Sequence, residues 1–314
     1  MWFWIAIGVL LTVTLLTALR NGDKDKRLPP GPSGLPILGY LPFIKGPYHV
    51  AFKQLSEQYG PLVRLRLGLK DVVVLNDLPS IREALANPDV LYRPDNFIFR
   101  ELGYIVQNLQ GNVANIYGAS TNPVRRTILW CLYIAAADPD GYQATLQREI
   151  DAIVGSERTP QWEYRHRMPL TMAFILETLR WRTISPISVH RVAGRDTILS
   201  GYHIPAGTFV VPNLWSIHND STHWRRPYMF DPVRFLKADG TEIEQKPQAF
   251  LPFSLGRRAC PGETLALTEI FLYVTTLLQK FRVLPEEGKL VSLASGMAPR
   301  AAIDHTQRLL FVTR

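Results

Sequence analysis

Phe253-Ser254-Leu255-Gly256-Arg257-Arg258-Ala259-Cys260-Pro261-Gly262 runs directly into an apolar helical pattern from Glu263 to Leu278, and the fold is read outward from it. Cys260 is its centre. Proline is favoured at the first helical position, so Pro261 predicts a helix start that sets the sulfur of Cys260 beside the positive end of a helix dipole. That placement favours thiolate over thiol, and a thiolate is a strong ligand for a soft metal. The flanking residues suit such a ligand. Gly256 permits a sharp turn, and Gly262 lets the backbone approach a flat cofactor with no Cβ in the way. Arg258 offers a planar fork to a carboxylate, and Phe253 can shield the sulfur from water. The bland alternative is a small buried hydrophobe. A lone Cys-Pro pair would leave that alternative ahead; five residues held in F-x-x-G-x-R-x-C-x-G do not.

A chain of 314 residues with 46% hydrophobic content can bury one large core or two modest ones. Two cysteines, Cys131 and Cys260, imply no disulfide framework and fit a reducing compartment. The net charge of +8 is scattered, with no nucleic-acid motif beside it. It fits a basic face toward an acidic membrane or redox partner, and nucleic acid is excluded as a partner.

Met1 to Leu19 carries no charge and is rich in Trp, Phe, Ile, Val and Leu; Arg20, Lys24, Lys26 and Arg27 follow it. Residues 1–20 therefore read as a transmembrane anchor with the bulk of the chain in the cytosol. A cleaved signal peptide is the rival, but its basic flank belongs on the other side. Residues 21–34, basic and then Pro-rich through Leu28-Pro29-Pro30-Gly31-Pro32, form a stiff hinge. Beyond it the pattern predicts a helix over 50–59, a hairpin of Leu62 to Leu67 and Val72 to Leu75 turning at Gly68 to Asp71, and a helix over 79–87. Later helices are expected over 142–154, after Asp138-Pro139, and over 170–181. Pro186 to Arg191 reads as extended, and Phe281 to Leu284 and Leu309 to Val312 as closing strands.

Glu177 and Arg180 stand three apart on one helix face. An ordinary surface pair of this kind contributes little. Here, however, Glu177-Thr-Leu-Arg180 has the form E-x-x-R upstream of the cysteine loop. Together the loop, this motif, and the Pro-rich hinge after an apolar segment resemble the cytochrome P-450 family, the microsomal haem-thiolate monooxygenases. The resemblance runs from Leu28 to about Gly103 and from Thr127 to the end. It implies a mainly α fold with minor β-sheets and an N-terminal transmembrane helix. The haem-thiolate domain would be 35–314, with an apparent internal deletion around 104–126.

By that resemblance Cys260 is the catalytic residue and the metal ligand, holding the iron of haem b from its proximal side. Arg258, His190 and Arg93 bind the propionates, and Phe253, Gly256 and Gly262 complete the cofactor loop. Arg93 has a simple exposed cation as its alternative, and His190 a satisfied core or surface histidine. Glu177, Arg180 and Arg234 form a structural ion network. The implied reaction inserts oxygen from O₂ into an apolar small-molecule substrate. Electrons come from an NADPH-dependent reductase, with cytochrome b5 as a second donor, docking near Arg257. The implied location is the endoplasmic reticulum membrane.

The chain is short for such a protein, which needs on the order of 500 residues to enclose haem and substrate. From Tyr104 to Arg126 the resemblance lapses: the helix bearing a Trp-x-x-x-Arg haem contact is missing. Thr121 is a poor match for the oxygen-site threonine, because Pro123 is expected to break a helix there. A catalytically inactive truncated isoform and a haem-thiolate isomerase or dehydratase therefore stand as alternatives.

Overall fold

A computed structural model describes residues 27–93, 109–293 and 307–314, with Trp2 and Gly8. The expected anchor, the first part of the hinge and residues 104–108 lie outside the described residues. Among the described residues no helix is long and apolar enough to cross a membrane. The chain divides into two compact units.

The first unit is Met1–Asp95, Ile187–Asn213 and Gly256–Arg258. Helix α1 (Tyr48–Tyr59) ends at Gly60, whose φ of 94° leaves helical geometry. Strands β1 (Leu62–Leu67) and β2 (Lys70–Leu75) pair from Leu62 opposite Leu75 to Leu67 opposite Lys70. The turn is thus only Gly68-Leu69, two residues tighter than the sequence pattern indicates, because Lys70 and Asp71 join the ladder. Alternation along β1 buries Val63 and Leu65, which pack with Phe52, Leu55, Val72, Val74 and Val211 as one core cluster. Helix α2 (Leu78–Ala86) is capped by the Asp77 side chain, which accepts from the Ser80 amide at 3.1 Å.

Strands β3 (Arg191–Val192), β4 (Thr197–Leu199), β5 (Tyr202–Ile204) and β6 (Phe209–Pro212) follow. The four-stranded sheet has the order β1-β2-β6-β3, with β6 parallel to β2; β4 and β5 form a separate hairpin. Only the last residue of the expected extended run 186–191 is in a strand. Ser188, with φ of 52°, turns the chain before it.

The second unit is Asn96–Pro186, Leu214–Leu255 and Ala259–Arg314. Its helices are α3 (Leu109–Ala137), α4 (Ala144–Ile153), α5 (Pro169–Trp181), α6 (Leu214–His218) and α7 (Glu263–Lys280). Strands β7 (Phe281–Pro285) and β8 (Leu309–Thr313) close it as an antiparallel pair. Contrary to the expectation from sequence, Pro123 does not end a helix: α3 runs through it. Residues 121–123 are exposed, so water can take the bonding place that the missing N–H vacates, and Thr127 Oγ1 donates to the Pro123 carbonyl at 2.9 Å. Beyond this point α3 is buried from Trp130 to Ala136.

Side-chain amides and a carboxylate tie the helices together. Gln143 donates to Val283 O at 2.7 Å and accepts from Val283 N–H at 2.6 Å. Glu149 accepts from the amides of Leu170 and Thr171 at 2.9 and 2.8 Å, a remote cap for the first turn of α5. The architecture is mainly helical with small sheets.

Candidate functional site

In the cysteine loop the Cys260 amide donates to the Phe253 carbonyl at 2.8 Å, closing the turn. Ser254 and Gly256 both have positive φ, 63° and 72°. A Cβ on Gly256 would come within 2.8 Å of the Leu85 carbonyl, so the sharp turn needs glycine on two counts. Gly262 differs: its φ is −97°, and a Cβ there would meet only Cys260 Sγ, at 3.9 Å. Nothing in the chain itself forces glycine at 262.

Helix α7 starts at Glu263 rather than Pro261. Residues 261 and 262 form a turn, so the sulfur sits on the approach to the helix. The bland reading of a cysteine as a small buried hydrophobe fits Cys131, which is buried and whose thiol is pushed up to about 12 by burial. Cys260 is exposed. Phe253 contributes its carbonyl to the loop, with a side chain of intermediate exposure.

The first unit gathers Arg93, His190, Arg191 and Arg258. Arg93 Nη1 donates to the His190 carbonyl at 3.2 Å, and Arg191 Nη2 to the Arg258 carbonyl at 3.4 Å. Arg191 also donates to the Val189 carbonyl. It is 1% exposed, yet its Nε has no hydrogen-bond partner, and neither does the buried Nδ1 of His190. Burial lowers the Arg191 pKa to about 10, helped by the charges of Arg93 and Arg258. Burial first, then Arg191 and Arg93, lowers that of His190. Arg93 is lowered by burial and by Arg258.

Among the described residues, no ion pair joins Arg191 or Arg258 to a carboxylate. Like charges held together with buried, unsatisfied donors are unfavourable in isolation; an anion relieves both the repulsion and the missing hydrogen bonds. Arg93 is itself exposed, as its simple-cation alternative expects, whereas His190 is half-buried with an unpartnered Nδ1. Arg191 was not anticipated from sequence. The one local signal was its adjacency to His190 at the head of a short strand.

In the second unit Glu177 and Arg180 are both fully buried. Arg180 Nε and Nη2 grip the carboxylate through two bonds of 2.7 Å. Arg234 Nε donates to the same carboxylate at 3.2 Å, as does the Asp231 amide at 3.0 Å. Arg180 Nη1 donates to the His218 carbonyl at 2.7 Å, and Nη2 also reaches the Met229 carbonyl at 3.3 Å.

His218 extends the network: its Nε2 accepts from the Leu251 amide at 2.9 Å, so the neutral ring carries its proton on Nδ1, 2.7 Å from Thr183 Oγ1. Thr183 in turn donates to the Arg180 carbonyl at 2.8 Å. Burial, then the Arg180 charge, lowers the His218 pKa to about 3, which keeps the ring neutral. Every strong donor and acceptor here is matched, as a buried ion pair requires. His218 carried no sequence motif. Thr121, on the exposed part of α3, donates its hydroxyl to the Tyr117 carbonyl at 2.7 Å.

A family model described as Cytochrome P450 matches residues 29–108 and 103–299, so the matched span takes in the stretch 104–126 that looks unlike the family by pattern alone. The chain is 38% identical over 247 residues to Cytochrome P450 2U1 of Homo sapiens, covering 74% of this chain and 44% of that protein. It is 37% identical over 204 residues to Cytochrome P450 2D14 of Bos taurus, with coverages of 65% and 38%. With Cytochrome P450 2J2 of Homo sapiens the identity is 39% over 187 residues, with coverages of 60% and 36%. The chain thus spans less than half the length of these curated relatives. Since the family match takes in the cysteine loop, the E-x-x-R helix and the paired strands alike, the chain belongs to the cytochrome P450 family.

Proposed function

We propose that this chain is a haem-thiolate monooxygenase held at the endoplasmic reticulum membrane by residues 1–20, with 21–34 as hinge and 35–314 as the haem domain. Members of the family are oxidoreductases that bind haem b through a cysteine thiolate. The observation that carries the proposal lies in the first unit, where His190 Nδ1 and Arg191 Nε are buried without partners; in the second unit Cys260 is exposed. A group with one soft-metal site and two carboxylates fits that donor set.

On this reading Cys260 supplies the sulfur ligand, and the closure of Cys260 N–H on the Phe253 carbonyl fixes the loop that carries it. Arg93, His190, Arg191 and Arg258 hold the propionates. Glu177, Arg180 and Arg234 keep the chain before the loop in one conformation and touch no reacting atom. When bound, haem b supplies the redox chemistry by which O₂ is activated and one oxygen atom is inserted into an apolar small molecule. The scattered positive charge around Arg257 offers a docking face for an acidic electron donor, an NADPH-dependent reductase or cytochrome b5.

A second reading, a haem-binding but catalytically inactive form with an internal deletion around 104–126, draws support from the length of the chain relative to its relatives and from Thr121, whose hydroxyl is satisfied by Tyr117 O. Turnover of apolar probe substrates by the haem-loaded chain with reductase and NADPH tests the proposal. NADPH-dependent oxygenated product is expected. Haem retention without product establishes the inactive form, and turnover of an organic peroxide without electrons establishes an isomerase or dehydratase.

A further inference from the structure

Between the Pro-rich hinge and β1, within the first unit, lies a cavity of about 410 Å³, lined by Pro29, residues 31–36 and Gly39 on one side and by Arg64, Leu65, Arg66 and Asp71 on the other. Glycines make room for the hinge against the strand: a Cβ on Gly31 would meet the Arg64 carbonyl at 1.7 Å, and one on Gly39 the Arg66 carbonyl at 2.3 Å. Two arginines line the cavity, and they differ. Arg64 pairs with Asp71 at 3.4 Å. Arg66 has no ion pair or side-chain hydrogen bond among the described residues, and its Nε is buried without a partner.

Gly31, Ser33 and Gly34 also line the cavity, and among the described residues their amides donate to no protein acceptor. An unneutralised guanidinium beside free backbone N–H groups is the donor set that recognises a tetrahedral oxyanion. The Arg64–Asp71 pair is neutral in sum, so the cavity keeps the net positive charge of Arg66.

We propose that this cavity is an anion site for a phosphate group, supplied by a phospholipid headgroup or by a free phosphate. It shares no residue with the Cys260 loop or with the basic cluster of Arg93, His190, Arg191 and Arg258. The hinge that forms its wall follows the basic run Arg20, Lys24, Lys26 and Arg27, so any lipid surface engaged by the preceding apolar stretch is within about ten residues of chain. Phosphate binding at Arg66 would lock the hinge onto β1.

Calorimetric titration of the full chain in neutral detergent micelles tests the site, with inorganic phosphate in one arm and dioctanoyl phosphatidate in the other. Saturable binding in either arm, weakened about tenfold or more by Arg66→Gln, is the expected result. Binding of phosphatidate alone identifies a headgroup; comparable binding in both arms identifies phosphate itself. Asp71→Asn removes the only acidic residue among the described lining residues and should tighten binding, which keeps the proposal testable if Arg66→Gln fails to fold. No saturable binding in either arm, unchanged affinity in Arg66→Gln, or unchanged or weaker affinity in Asp71→Asn overturns it. So does affinity lost in Arg191→Gln but kept in Arg66→Gln, which assigns the anion to the other basic cluster.

Discussion

Replacing Glu177 with alanine removes a carboxylate that receives four hydrogen bonds: two from Arg180, one from Arg234 and one from the Asp231 amide. Arg180 has no exposed side-chain surface, so its charge cannot turn to water for compensation. Breaking a buried pair by deleting one partner costs about 3–5 kcal/mol. For a chain of this size that corresponds to a fall in Tm of roughly 6–20 °C, or a matching shift in the urea midpoint at unchanged slope. The loss should reach the cofactor as well: Glu177→Ala is expected to abolish haem incorporation. The double variant Glu177→Leu with Arg180→Met separates charge from packing, because replacing both partners by apolar groups is often neutral. It should recover most of the lost stability. Denaturation followed by circular dichroism, with haem content measured on the same preparations, reads all of this. A Glu177→Ala protein with a wild-type midpoint and full haem content refutes the reasoning.

The other predictions concern separate parts of the chain. Arg191→Gln removes the buried guanidinium whose Nε lacks a partner, and should weaken haem retention about tenfold, measured by transfer to apomyoglobin; unchanged retention removes Arg191 from the propionate set. Pro123→Ala should raise stability by about 1–3 kcal/mol by restoring a backbone N–H and removing the clash inside α3, read from the urea midpoint; no gain would mean that the helix is already relaxed around the proline. Acid should destabilise the fold through His218 and His49, lowered to about 3 and about 4 from 6.5. Between those values and 6.5 the unfolded chain binds the protons and the folded chain does not, so stability falls as pH drops, by at most about 1.4 kcal/mol per pH unit for each histidine. Urea midpoints at pH 7 and pH 5 check the sign; a midpoint that rises toward pH 5 contradicts it.

Much of the site was legible because its signals are local. The cysteine loop and Glu177-x-x-Arg180 are each set by spacing along a single turn or helix, and β1 shows its buried face through alternation alone. What remained hidden depends on chain segments far apart in sequence. Arg191 becomes part of a basic cluster only because the carbonyl of Arg258, 67 residues on, lies beside it. His218 joins the ion network through Thr183 and Leu251, and no spacing rule links those three. Glu149 caps a helix that starts twenty residues later.

Local rules also erred in a consistent direction. In an isolated chain proline would break a helix at Pro123 and open one at Pro261. In the structure α3 continues through the first because that stretch is open to water, and α7 begins two residues after the second because 261 and 262 are used to turn the chain.

The central claim is that the sulfur of Cys260 holds the iron of haem b. The absorption spectrum of the reduced, carbon-monoxide-bound protein tests it most directly, taken on the wild type and on Cys260→Ser. A strongly red-shifted Soret band in the wild type and its loss in the serine variant is the predicted result. A wild-type spectrum without that shift, or a serine variant that keeps the pigment with an unaltered profile, contradicts it.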